Sequence, residues 1–274
     1  MPAISLKTRR VEKPWGRMHL WPGFADPAAG SSPIGEIWFE APAGMADDLL
    51  VKYLFTSERL SVQVHPGDVR ARAAGFRSGK DEAWVVLAAE PDATIALGTH
   101  APVASDRLRA AAIDRSIEQL LDWKPVKAGD VFYSPAGTVH AIGAGITLIE
   151  VQQNVDLTYR LYDYGRPREL HLEAGVAVAD ARPFVAPAAP GMIAPGRDIL
   201  VEGPKFVLER RRGGDHDLAL AGRQVAWLVP IVGHGQADGV HWQAGDCLML
   251  SQHCRITASS EADLLIAYSG AERL

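Results

Sequence analysis

Gly129-Asp130-Val131-Phe132-Tyr133-Ser134-Pro135-Ala136-Gly137-Thr138-Val139-His140 is the stretch on which the reading of this chain turns. Gly-Asp makes a turn, Val131–Tyr133 has the composition of a short strand, and Pro135-x-Gly137 turns the chain again into a strand that bears His140. The spacing is G-x5-P-x-G-x2-H.

Outward from this stretch, short apolar runs are punctuated by turn residues. Strands are predicted at Glu36–Glu40, Leu60–Val64, Ala83–Leu87, Val131–Tyr133 and Ile146–Val151, and later at Val225–Val229, Cys247–Leu250 and Asp263–Ala267. Helical signals are few. Asp68–Ala74 follows Pro66, Ser105–Leu121 has capping residues and helix-like apolar spacing, and Glu169–Asp180 is interrupted by Gly175. Many short strands with Gly and Pro turns favour a barrel or sandwich. The proline-rich stretch 182–197 is the expected linker, which divides the chain into 1–185, with a helical insertion around 105–122, and 186–274.

Composition narrows the function classes. A net charge of −5 gives no electrostatic reason to bind nucleic acid or an anionic membrane, so neither is expected as a partner. The 47% hydrophobic content supports a packed core. Two cysteines, Cys247 and Cys254, do not make a disulfide scaffold. The opening MPAISLKTRRVEKPWG has no apolar stretch of the kind a secretion signal needs, and no run of 18 apolar residues occurs. A cytoplasmic location is the expectation.

Further metal-capable groups lie upstream of His140. In Ser61-Val62-Gln63-Val64-His65-Pro66, strand alternation puts Ser61, Gln63 and His65 on one face. Taken alone, this is the pattern of a polar pair on a sheet. In Gly79-Lys80-Asp81-Glu82-Ala83-Trp84, Glu82 opens a strand and Lys80 shares its face, although a solvated charged turn would look the same. The Gly129–His140 spacing matches the second sequence motif of the cupins at every position, and in cupins that His is a metal ligand. The match is incomplete, since Ala144 stands where the motif ends in Asn. Gln63-x-His65 with a more distant Glu82 replaces the first cupin motif. Gln63, His65, Glu82 and His140 together would make a mixed N/O site suited to a borderline divalent ion. Zinc, one ion per chain, is the expectation.

The altered pattern resembles the type I phosphomannose isomerases, in their compact bacterial branch. Lys13-Pro14-Trp15-Gly16, Gly35-Glu36-Ile37-Trp38, the Leu60–Pro66 and Gly79–Trp84 segments, Pro135–Ala141, Ile149–Asn154 and Asp156–Arg166 carry the resemblance in order. It implies a mainly β fold of two cupin-like jelly-roll barrels, the second degenerate, and an aldose–ketose isomerase acting on a small sugar phosphate. It also implies that Gln63, His65, Glu82 and His140 are zinc ligands, and that Arg160, Lys80 and Glu150 belong to the active site. For the anionic end of the substrate, Ser61, Lys80 and Arg160 are the candidates; Arg166 and Arg168 are basic enough to share that role. Val155 departs from the family, where Ser or Thr is usual. A non-catalytic sugar-binding cupin and another cupin metalloenzyme, such as an iron oxygenase, are the alternatives.

The C-terminal part echoes the first. Gln243-Ala244-Gly245-Asp246 parallels Lys127-Ala128-Gly129-Asp130, but Ile256 falls where His140 would stand. A second unit without a metal is expected there.

Overall fold

The computed structural model describes residues 3–274 apart from 22, 46–47, 189 and 221–223. Its strands form four antiparallel sheets. A six-stranded sheet runs Lys7–Arg17, Ile34–Glu40, Leu49–Phe55, Ile146–Gln153, Glu82–Ala89 and Val131–Ser134. A five-stranded sheet runs Tyr159–Tyr162, Val62–Val64, His140–Ile142, Thr94–Thr99 and Leu121–Pro125. The C-terminal part supplies six strands of a seven-stranded sheet whose edge is the N-terminal strand (Ala3–Ser5, Leu248–Ser251, Val225–Val232, Asp263–Ser269, Phe206–Arg212, Arg197–Glu202, Gly191–Ala194). It also supplies a four-stranded one (His216–Ala219, His253–Ala258, His234–Ala237, Val240–Gln243). The architecture is the mainly β, cupin-like one expected, with one correction: no closed barrel forms among the described residues. The strands lie in separate sheets that face one another through side chains, and among the described residues no named strand pairs by a backbone ladder with a strand of another sheet.

Strand alternation explains how the layers stack. In the six-stranded sheet, Val51, Tyr53, Phe55, Val85, Ile149 and Val151 face the seven-stranded sheet and meet Phe206, Leu208, Trp227 and Leu265 in one apolar cluster. Their neighbours Leu54, Trp84, Val86 and Leu148 face the five-stranded sheet and meet Ile95, Leu97 and Ile142. A second alternation carries Val207, Leu228 and Ile266 onto Leu218, Cys254 and Ile256 of the four-stranded sheet. The outer face of the five-stranded sheet is covered by helices at Ser105–Asp114, Ile117–Leu120 and Leu172–Val178. The first two of these fill the expected insertion. Because both central sheets are covered on both faces, their strands read as near-continuous apolar runs, as in Leu49–Phe55, where every residue is buried.

The N-terminal strand ties the parts together. Ala3–Ser5 pairs in register with Leu248–Leu250 and so joins the seven-stranded sheet. No helix is long and apolar enough to cross a membrane among the described residues.

Candidate metal centre and surrounding cavity

Two crossings between the facing five- and six-stranded sheets build the site. The chain leaves the five-stranded sheet at Val62–Val64, bears His65, and enters the six-stranded sheet at Glu82. It later leaves the six-stranded sheet at Ser134, which pairs with Glu82, and enters the five-stranded sheet at His140, which pairs with Gln63. The second crossing is the Pro135-Ala136-Gly137 turn. Thr138 N–H donates to Pro135 O (3.1 Å), Gly137 N–H donates to His65 O (2.8 Å), and Gly137 has φ +92°, where a side chain would be strained. Both crossings lie at the same end of the sandwich, so the groups they carry converge.

His65, Glu82 and His140 are buried, and each offers an atom within 4.8 Å of the others. His65 Nε2 lies 3.3 Å from Glu82 Oε1, and His140 Nε2 lies 3.5 Å from Glu82 Oε2. Both rings are oriented from behind: His65 Nδ1 donates to Leu157 O (2.8 Å) and His140 Nδ1 to Thr138 O (2.9 Å). That tautomer leaves each Nε2 lone pair facing Glu82, the arrangement a metal-binding histidine requires. His65 Nε2 and both Glu82 oxygens are buried without a hydrogen-bond partner, although Lys80 Nζ stands 2.8 Å from Glu82 Oε1 as an ion pair. Buried polar atoms rarely go unsatisfied. A divalent cation is what this donor set fits.

The electrostatics agree. Burial pushes His65 down to about 4, with the Lys80 charge adding to the effect, and burial also lowers His140. Both imidazoles are therefore neutral near pH 7 and need shed no proton to bind a metal. Burial alone would raise the Glu82 carboxyl, but Lys80 and His65 outweigh it and hold Glu82 well below the usual carboxylate range. Gln63 lies beside the cluster. Its Nε2 donates to His140 Nε2 (3.2 Å), while Ser61 Oγ donates to Gln63 Oε1 (3.1 Å). Oxygen and nitrogen exchange places when the amide turns by half a rotation, and that orientation would present the oxygen to the cluster.

Above the cluster is a cavity of about 230 Å³. Ser61, Gln63, Lys80, Glu82, Glu150 and Arg160 all line it, so the candidates chosen from sequence come to one place. Arg160 pairs with Gln63 in register, and its guanidinium makes no ion pair or hydrogen bond among the described residues. Arg168 also lines this cavity, but both it and Arg166 are already engaged by carboxylates. Arg168 binds the buried Asp163 through Nε (2.5 Å) and Nη2 (2.7 Å), and Arg166 binds Asp163, Glu58 and the Arg59 carbonyl. Val155 packs its side chain on Ala71 and Leu157.

Lys52 also lines this cavity, and sequence reasoning did not single it out. Its ammonium donates to Glu150 Oε1 (3.0 Å) and Gln152 Oε1 (2.5 Å) and lies 4.5 Å from the Trp38 ring centroid. Trp84 Nε1 donates to the other Glu150 oxygen (3.1 Å). Burial works against the Lys52 charge, but Glu150 and Glu36 outweigh it and raise its pKa above the ordinary value. The signal in the sequence was a lone lysine in an otherwise apolar and aromatic strand, Leu-Leu-Val-Lys-Tyr-Leu-Phe. Lys52→Met is expected to destabilise the protein by about 3–5 kcal/mol, the usual result of leaving a buried charge uncompensated. Urea titration measures this, and a loss below about 1 kcal/mol would mean that Glu150 and Glu36 are satisfied without it.

No family model matches the chain. Among curated proteins, it is 43% identical over 136 residues to the mannose-6-phosphate isomerase of Streptococcus mutans, covering 47% of this chain and 43% of that protein. It is 43% identical over 160 residues to mannose-6-phosphate isomerase ManA of Bacillus subtilis, covering 54% and 50%. The chain thus spans about half the length of the curated relatives it matches. Among solved structures, the mannose 6-phosphate isomerase of Bacillus subtilis superposes with a TM-score of 0.83 at 26% identity, over 97% of this chain and 99% of that one. The chain is thus similar to mannose-6-phosphate isomerases in sequence over about half its length and in fold over nearly all of it.

Proposed function

We propose that the protein is a metal-dependent aldose–ketose isomerase that interconverts mannose 6-phosphate and fructose 6-phosphate, with zinc held by Gln63, His65, Glu82 and His140. One observation carries the reading: His65, Glu82 and His140 converge, the first two with unsatisfied buried atoms, beneath a cavity lined by an arginine that has no partner among the described residues. Zinc as the ion and the cytoplasm as the location belong to the same proposal. The similarity to mannose-6-phosphate isomerases supports it.

The reaction moves one hydrogen from carbon 2 of the aldose to carbon 1 and one proton from the oxygen on carbon 2 to that on carbon 1. A divalent ion supplies Lewis-acid polarisation of the carbonyl. Glu150 is the carboxylate to carry the proton between the carbons. It faces the cavity but is not one of the clustered groups, and the Lys52 ammonium and the Trp84 indole N–H keep its two oxygens fixed. Arg160, with no carboxylate partner among the described residues, is the group to take the phosphate or developing negative charge. Lys80, bound to Glu82, adds positive charge at the floor, and Ser61 holds Gln63.

The test is a coupled isomerase assay on metal-stripped and zinc-reconstituted protein. Stripping is expected to abolish turnover of fructose 6-phosphate and zinc to restore it. Full activity in the stripped protein rejects the metal's role, and no activity with zinc restored rejects the isomerase.

A further inference from the structure

We propose that Lys205, on the turn Gly203-Pro204-Lys205-Phe206 of the seven-stranded sheet, is a positioning residue for Glu82 and Lys80. This rests on the metal site of the proposed function and extends it to a part of the chain that contributes no group to the cavity.

The segment Gly79–Glu82 hangs from a few fixed points. Gly79 N–H donates to Asp68 Oδ1 (2.8 Å), Lys80 N–H to Pro66 O (3.2 Å) and Asp81 N–H to Gln153 Oε1 (3.0 Å). Gln153 is tied in turn, its Nε2 donating to the same Asp68 oxygen (3.3 Å). The Asp81 carboxylate accepts from the Tyr133 hydroxyl and from Ala136 N–H (3.1 Å). Gly79 leaves no slack, since a Cβ there would come within 2.5 Å of Pro66 O.

Both anchors meet the 203–206 turn. Lys205 Nζ donates to Asp68 Oδ2 (2.8 Å). Phe206 packs edge-on against Tyr133, with ring centroids 6.0 Å apart. Gly203 lies so close that a Cβ would come within 2.8 Å of the Tyr133 hydroxyl. The turn itself is held, with Gly203 N–H donating to Phe206 O (3.0 Å) and Gly270 N–H to Lys205 O (2.9 Å). The hydrogen bond from Lys205 is the main influence holding the Asp68 carboxyl at about 2, with desolvation opposing it. Among the described residues, the only other cation on that oxygen, Arg72 at 3.5 Å, comes from an exposed side chain. Lys205 thus keeps the Asp68 carboxylate aimed, Asp68 keeps Gly79 and Gln153 in place, and these set where Glu82 meets the two histidines.

Lys205→Met and Lys205→Arg separate positioning from a merely structural tie. In Lys205→Met, the Gly79 and Asp81 amides are expected to exchange hydrogen roughly tenfold faster, while amides of the central strand Ile146–Gln153 keep their rates. Zinc affinity, from competition with a chelator, is expected to fall roughly tenfold, the lower end of what loss of a supporting residue costs, and Lys205→Arg should recover most of it. Wild-type zinc affinity in Lys205→Met overturns the proposal whatever the exchange rates, because a structural tie alone would loosen the amides and leave the metal untouched. Both readouts are taken without sugar phosphate. A wild-type protein that binds zinc but does not isomerise would therefore reject the proposed activity and leave this role standing.

Discussion

His140→Ala protein is expected to fold and to lose its metal and its turnover together. The imidazole is buried at the entrance to the strand His140–Ile142, 4.9 Å from the His65 ring and 5.3 Å from Trp84. It supplies one of the three convergent donor atoms. Removing it leaves two close donors, so zinc affinity should fall by well over the ~10–100-fold that loss of a supporting residue costs. The strand's backbone pairing to Leu97 and Gln63 does not depend on the side chain. The stability cost is that of an ordinary buried substitution, about 1–3 kcal/mol. Metal analysis after dialysis and thermal unfolding of the same sample decide the matter. A folded His140→Ala protein retaining one tightly held zinc would show that the ion sits elsewhere.

Arg160→Ala is expected to keep the metal and lose most of its turnover. The guanidinium lines the cavity without a partner among the described residues and is not among the clustered donors, so its removal disturbs no ligand. A missing electrostatic contact to developing charge typically costs ~100-fold or more in maximal rate. A residue that only anchors the phosphate would raise the Michaelis constant instead. Steady-state kinetics on mannose 6-phosphate with the zinc-loaded variant separate these effects. Near-wild-type values for both constants would leave Arg160 without a role.

Strand alternation made much of this site legible in advance. It put Ser61, Gln63 and His65 on one face and paired Lys80 with Glu82, and the Pro-x-Gly turn located His140. What remained hidden has physical causes. The carbonyls of Leu157 and Thr138 that orient the histidines are backbone groups, which carry no residue identity. Lys52 stands in a strand buried on both faces, where an apolar run conceals the polar end of a sandwich. The facing of sheets, as against their closure into barrels, is decided by side chains far apart in sequence, such as Tyr53 and Trp227 in one cluster. Local pattern is silent on such pairings. Strand ends also moved: Leu60 and Ser61 lie outside the strand, which begins at Val62, because Leu60 N–H is committed to Ile142 O outside the ladder.

The pairing of Ala3–Ser5 with Leu248–Leu250 has a consequence for how this molecule assembles. The strand's partners lie almost the whole chain away, so the entropy of closing that loop is among the largest the fold must overcome. The six-stranded sheet likewise gains its inner cover only when the seven-stranded sheet exists to meet it, and each large side chain so buried is worth about 1.5–3 kcal/mol. Mean contact separation is therefore high, which favours slow folding and a populated intermediate with one sheet face bare. Severing the chain in the 182–197 stretch would produce fragments that each present an uncovered apolar sheet face. Such fragments would reassociate or aggregate more readily than they would stand alone.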